Sequence, residues 1–291
     1  MEISKEQQFQ YKNILINTLI AFDNFCSKHN IRYFATGGTA IGAVRHKGVI
    51  PWDDDIDVVM IREDYDRFLS IKKELNGSSY RVIDPSDIGY YLPFAKFVDI
   101  NTTIWETCEH EFLLGVYIDI FPLNHVTGNL KSIKEFQNKY LLSCRKHFGG
   151  YKKLFTKEVI KYTLSHPSII SSWLERLFIY KPFKRYYSRK FWEYENLLKE
   201  SKGDYLLNYY TQYKMEKELF NPKWFDDLIR LPFEDTEINM MAGYHDFLTQ
   251  LFGDYMTPPP TDKQVTHHSC YFMDLKKRWT INEIKAVLNC R

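Results

Sequence analysis

Four aspartates stand among the five residues Asp53 to Asp57, followed at once by Val58-Val59-Met60. Carboxylates crowded this densely repel one another unless a cation neutralises them. Read as a strand over 53–60 that enters a core, the run alternates, because residues two apart share a face about 7 Å apart. Asp55 and Asp57 then project one way, with Asp53 beside them if the strand starts early enough. Ile56, Val58 and Met60 project into the core. Two carboxylates on one strand face are hard oxygen ligands suited to Mg²⁺ or Mn²⁺. A calcium loop counted from Asp53 would want Gly at its sixth place and Glu at its twelfth, but Val58 and Asp64 stand there. A solvated acidic turn without metal is the plainer alternative.

Upstream, Tyr33-Phe34-Ala35-Thr36-Gly37-Gly38-Thr39 reads as a strand running into paired glycines and then a helix. Glycines let the backbone approach a phosphate, and a helix N-terminus presents N–H groups to it. Such a turn can equally serve packing. Beside a carboxylate pair, it describes the site of a metal-dependent phosphoryl or nucleotidyl transferase. Asp119, the only charge in Val116–Phe121, offers a third carboxylate. A buried lone carboxylate is costly unless paired or metal-bound, though an Asp capping a turn at a strand end would also account for it.

The elements that must position these residues follow from periodicity and punctuation. Ser4 to His29 reads as a helix with a Ser4/Gln7 capping box. A strand over 31–35, a helix over 39–45 and a loop over 46–52 lead to the acidic strand. A helix over 63–75 and strands over 80–83, 93–98 and 116–121 follow. This β-α-β-α-β order implies an α+β fold, a mixed sheet flanked by helices. From 132 to 213 the pattern turns helical and basic. Between Arg145 and Lys190 twelve Lys or Arg face only Glu158 and Glu175, interleaved with aromatics. The division expected is a catalytic core over 1–130, a basic, aromatic-rich helical insert over 131–225, and a C-terminal part over 226–291 completing the catalytic domain.

Composition bounds the rest. The 291 residues are 44% hydrophobic and 26% charged, enough for a buried core, and the net charge of +2 argues against general polyanion or nucleic-acid binding. No apolar run reaches the roughly 18–20 residues that span a bilayer. The N-terminus lacks a signal-peptide pattern, so a cytoplasmic location is expected. The five cysteines form no CxxC pair, which points to free thiols rather than a disulfide framework or zinc ribbon.

The stretch from Gly37 to Asp57, Gly-Gly-Thr-Ala-Ile-Gly-Ala-Val-Arg-His-Lys-Gly-Val-Ile-Pro-Trp-Asp-Asp-Asp-Ile-Asp, resembles the signature of the LicD family. The resemblance continues through Lys96-Phe97-Val98-Asp99-Ile100-Asn101-Thr102 and Tyr117-Ile118-Asp119-Ile120-Phe121-Pro122-Leu123. It returns at Pro232-Phe233-Glu234-Asp235, at Phe252-Gly253-Asp254-Tyr255-Met256 and at His267-His268, covering roughly 28–125 and 230–270. It implies a nucleotidyltransferase-like fold and transfer of a phospho-alcohol, phosphocholine foremost, from a CDP-linked donor such as CDP-choline. The acceptor implied is a hydroxyl of a cell-surface glycan or its lipid-linked precursor, and CMP leaves. A nucleotidyltransferase consuming a nucleoside triphosphate and releasing pyrophosphate is the alternative enzyme. A non-catalytic metal- or sugar-phosphate-binding module is the alternative outside enzymes.

On this reading Asp55, Asp57 and Asp119 ligate the metal and do the chemistry. Gly37, Gly38 and Thr39 hold a phosphate. Arg45, His46 and Lys47 meet the diphosphate, or form an exposed basic corner, and Lys96 is a further phosphate ligand. Trp52 stacks on cytosine or faces a quaternary ammonium, or anchors the core. Asp53 and Asp54 flank the donor, and Glu234, Asp235 and His268 line the acceptor side. The segment 173–191 is expected to touch the inner membrane face peripherally.

Overall fold

The computed structural model describes residues 4–211, 213–264 and 270–289. Helix α1 (Lys5–Lys28) starts at the expected capping box, in which Ser4 and Gln7 cap each other's backbone. Strand β1 (Phe34–Ala35) turns directly into α2 (Gly37–Arg45). Then come β2 (Asp57–Ile61), α3 (Arg62–Ser70), β3 (Tyr80–Ile83), β4 (Ala95–Asp99), β5 (Thr103–Trp105) and the long β6 (Tyr117–Val126). Helices α4 (Leu130–Gly149), α5 (Lys157–Ser165) and α6 (Ile170–Glu175) lead through a π-helical turn at Arg176–Tyr180 into α7 (Lys184–Glu200). The chain closes with β7 (Tyr205–Leu207), the hairpin β8 (Leu228–Phe233) and β9 (Thr236–Met241), α8 (Tyr244–Phe252), β10 (Phe272–Asp274) and α9 (Ile281–Asn289).

The main sheet has the order β1-β2-β6-β4-β3, and β7 pairs with the far end of β6. Among the described residues only β2 and β6 run parallel; the other pairs of this sheet are antiparallel. This is the mixed sheet flanked by helices that the sequence implies. Two short ribbons, β5–β10 and β8–β9, stand apart from it.

The acidic run departs from expectation. Residues 53–56 are not strand; β2 begins at Asp57. The Asp53 N–H donates back to Ile50 O at 2.9 Å, closing a turn that ends only as the chain enters the sheet. Nor does β2 have one polar face, since Val59 is buried as fully as Val58 and Met60. A strand with neighbours in the sheet and helices on its faces has no solvent side to offer.

The main core gathers the apolar faces of α1, α2, α8 and the sheet, with Phe22, Phe68 and Phe97 in edge-to-face contact. A second, smaller core joins α4 and α7 through Tyr140, Phe148 and Phe191 and reaches β6 and β7 at Val126 and Leu207.

Candidate active site

The two parallel strands place the first pair of acids. In their register Asp57 lies opposite Asp119, so both side chains leave the sheet on one face. On the other side of β6, Lys96 of β4 lies opposite Asp119, and its Nζ is 2.5 Å from Asp119 Oδ1. At 2% exposed, Lys96 is a buried counter-charge for Asp119 in this structure, not an outward-facing phosphate ligand. Its ammonium also sits 3.4 Å above the centre of the Tyr117 ring and 3.9 Å from Glu106 Oε1. Glu106 is itself clamped: the Tyr117 hydroxyl donates to Oε1 at 2.6 Å, and the Tyr91 hydroxyl donates to Oε2.

The remaining acids come from the turn before β2. Among the described residues it is Asp53, Asp54 and Asp55 whose carboxylate oxygens come within 4.8 Å of one another. The expected trio Asp55, Asp57 and Asp119 does not form that tightest group. The two sets are neighbours: the turn acids lead straight into Asp57, which lies opposite Asp119 in the sheet register. Burial pushes the Asp57 carboxyl well above the usual carboxylate range. The charges of Asp55, Asp119 and Asp53 push it further, and only Lys96 pulls it back.

The paired glycines explain how the turn and the strand approach so closely. Gly37 has φ +56°, and a Cβ there would lie 3.2 Å from Asp57 Oδ2. A Cβ on Gly38 would meet Asp53 Oδ2 at 2.3 Å. The room a side chain would need is taken by the two carboxylates, which sit against the electropositive start of α2. Thr39 is buried, and its Oγ1 accepts the Asp57 N–H at 2.8 Å. In this structure its hydroxyl fixes the first residue of β2.

The basic triplet lies at the end of α2 and on the loop after it. Arg45 donates to Tyr255 O at 2.9 Å and to His46 Nε2 at 2.9 Å. Burial lowers the pKa of both, and the neighbouring guanidinium lowers that of His46 further. His46 stands edge-on to the half-buried Trp52, ring centres 6.0 Å apart. Lys47 is exposed. Glu234 braces this loop: its N–H donates to Lys47 O at 2.7 Å, and its Oε1 accepts the Val49 N–H and pairs with Lys12, both at 2.8 Å. Lys47 and Glu234 both hold left-handed φ values, 56° and 54°, conformations that persist only where surrounding contacts impose them. Asp235 is exposed at the turn of the β8–β9 hairpin. His268 lies outside the described residues.

Sequence reasoning missed the tyrosines. Burial raises the pKa of Tyr11, Tyr91, Tyr117 and Tyr210, and nearby acids raise it further, Asp119 among them in every case. One signal was available: Tyr117 stands two residues before Asp119 on one strand, hence on its face. Nothing local marks Tyr11, Tyr91, Glu106 or Tyr210, which long-range packing delivers.

Residues 30–167 match a family model described as LicD/FKTN/FKRP, nucleotidyltransferase domain. The chain is 33% identical over 272 residues to the lipopolysaccharide cholinephosphotransferase LicD of Haemophilus influenzae, covering 91% of this chain and 95% of that protein. Over 56 residues, 19% of this chain, it is 43% identical to an uncharacterized protein of Rickettsia typhi, 18% of which is covered.

Proposed function

The chain belongs to the LicD family and is a LicD-type phosphotransferase, and on that premise we propose that it transfers phosphocholine from CDP-choline to a hydroxyl of lipopolysaccharide or its lipid-linked precursor, releasing CMP. The observation that carries this reading is the approach of Asp53 and Asp57 to the glycine turn, with Asp54 and Asp55 grouped beside Asp53, Asp119 opposite Asp57, and Lys96 as the counter-charge of Asp119. The donors there are carboxylate oxygens, the set that suits a hard divalent cation. The residues therefore fit Mg²⁺ or Mn²⁺, which Asp55, with Asp53 and Asp54 close beside it, would hold together with Asp57 and Asp119. A bound divalent ion supplies charge neutralisation for the donor's diphosphate and for the leaving phosphate.

The protein's own groups do the rest. Asp119, held by Lys96, takes the proton of the acceptor hydroxyl as its oxygen attacks the choline-bearing phosphorus. The bond from that phosphorus to the CMP oxygen breaks, and CMP carries away its electron pair. Arg45 and Lys47, on the loop beside the acids, contact the diphosphate. The tyrosines around Asp119 suit the quaternary ammonium of choline, which aromatic faces attract. Tyr117 and Tyr91 each have one face already covered, by Lys96 and by His110.

The test is product analysis with purified protein, Mg²⁺, CDP-choline and a choline-free lipopolysaccharide acceptor. CMP should accumulate in step with choline on the acceptor. Asp57→Asn should slow turnover roughly 100- to 1000-fold, the scale of losing one electrostatic group in an active site, without lowering the melting temperature. Pyrophosphate released from CTP, with no CMP from CDP-choline, would overturn the reading.

A further inference from the structure

Of the 22 large apolar side chains exposed among the described residues, eleven lie between Phe155 and Trp192. That is half of them in about an eighth of the chain, so the exposure is a local feature. The largest members are Leu164 at 71% exposed, Phe178 at 68%, Phe155 at 62% and Phe183 at 56%. They come from α5, the π-helical turn and the connections on either side. The same stretch is the strongly basic one, and Lys157, Lys161 and Arg185 stand exposed among the apolar groups.

The exposure is not a sign of missing structure. α5 starts at a Thr156 cap, with Val159 and Leu154 buried behind it. The Trp173 indole N–H donates to Leu154 O at 3.1 Å, tying α6 to the chain before α5. Glu109 ties the base of this lobe to the rest of the molecule. It accepts from Lys152 and, at 3.0 Å, from Arg176, and its backbone oxygen accepts the Lys153 N–H at 2.7 Å. Glu109 stands three residues after Glu106, the carboxylate clamped by Tyr91 and Tyr117 beside Lys96. One short loop therefore joins the lobe to the acidic site.

Charge decides what such a surface meets. A second copy docking face to face would set one basic stretch against another, which like-charge repulsion opposes. Exposed Leu, Ile and Phe among cations match the boundary of an anionic bilayer instead, where apolar side chains enter the headgroup layer and Lys and Arg pair with phosphate. We propose that Phe155–Trp192 is a membrane-docking face that seats the enzyme on an anionic lipid surface and holds its acidic site beside it. The lobe covers more than the basic aromatic segment 173–191, because α5 contributes Leu164 and two of the exposed lysines.

Vesicle flotation with the full-length protein tests this. Phosphatidylglycerol-containing vesicles should carry at least ten times more protein than neutral phosphatidylcholine vesicles, and 0.5 M NaCl should release most of it. A Phe178→Ser/Phe183→Ser pair and a Lys157→Glu/Lys161→Glu/Arg185→Glu triple should each cut flotation at least tenfold while keeping the wild-type melting temperature. If either set unfolds the protein, Leu164→Ser alone, on α5, should still reduce flotation several-fold. Equal flotation on neutral and anionic vesicles, none on either, or folded variants that float like wild type would each overturn the proposal. So would sedimentation showing a wild-type dimer that Phe178→Ser/Phe183→Ser dissociates, since the face would then belong to a second copy.

Discussion

Lys96 does at residue scale what a metal ion would otherwise have to do alone: it gives Asp119 a counter-charge where water is scarce. Removing one partner of a buried ion pair typically costs about 3–5 kcal/mol, because the other charge is left unsolvated. Lys96→Met should therefore lower the unfolding free energy by that order, read from urea denaturation at neutral pH. Asp119 would then lack the cation that pairs with it, so millimolar Mg²⁺ should restore more stability to the variant than it adds to wild type. If Mg²⁺ stabilises both equally or neither, the acids do not share a cation with Lys96. The site was legible in the sequence to the extent that local chemistry declared it. Asp55, Asp57 and the paired glycines announced themselves by crowding and by turn chemistry. The partnership of Lys96 with Asp119 did not, because it depends on β4 pairing antiparallel with β6, and register between strands 23 residues apart leaves no local trace.

At element scale the question is how the helical insert is fastened to the sheet. Arg62, at the start of α3, is buried and donates through Nη1 and Nη2 to Glu195 of α7 at 3.3 Å, through Nε to Asp66 at 3.1 Å, and to Asn124 of β6 at 3.2 Å. Tyr140 of α4 donates to the other oxygen of Glu195 at 2.7 Å. Glu195 is thus where α3, α4 and α7 meet. Glu195→Ala would leave Arg62 with Asp66 as its remaining carboxylate and Tyr140 without its acceptor, at a cost of about 3 kcal/mol. Arg62→Met with Glu195→Leu removes both charges and should cost less than Glu195→Ala alone. A double mutant no more stable than Glu195→Ala would show that the polar network itself, and not relief of a stranded charge, fastens the insert. A helix such as α1 could be read because its capping box and periodicity are properties of a few adjacent residues. The ribbons β5–β10 and β8–β9 could not. β5 and β10 are three residues each and pair across about 170 positions, while Pro232 inside β8 reads locally as a breaker. Residues 53–56 read as strand because alternation starts with the first acid, yet the turn back to Ile50, with Pro51 at its second position, is a local signal that outweighs it.

Across the whole molecule, stability should depend on pH through groups outside the clustered aspartates. His147, buried between α4 and α7, is held neutral by burial and by Lys184, its pKa lowered to about 4. His110, stacked on Tyr91, is lowered to about 3 by burial, Lys152 and Arg176. Below pH 6.5 the unfolded chain protonates both histidines while the folded protein does not, so acid favours unfolding until those lowered values are reached. Glu218 works the other way. Burial raises its carboxyl to about 7, against a hydrogen bond from Thr211. It is protonated in the folded state while the unfolded chain ionises above 4.5, so its contribution is present in acid and fades as pH rises from 4.5 to 7. Between pH 6.5 and 4.5 each histidine takes stability from the folded state on acidification, by about 1.4 kcal/mol per pH unit, while Glu218 returns as much. Asp57 and Glu195, their carboxyls also raised, work in the same direction as Glu218. His147→Phe, an apolar ring beside the Phe191 on which His147 stacks, should therefore hold its melting temperature better than wild type from pH 7 to 4.5. Glu218→Gln removes one of the opposing protons and should do worse than wild type over the same range. An unchanged slope in both variants would mean that the acid sensitivity lies with other groups, the clustered carboxylates first among them.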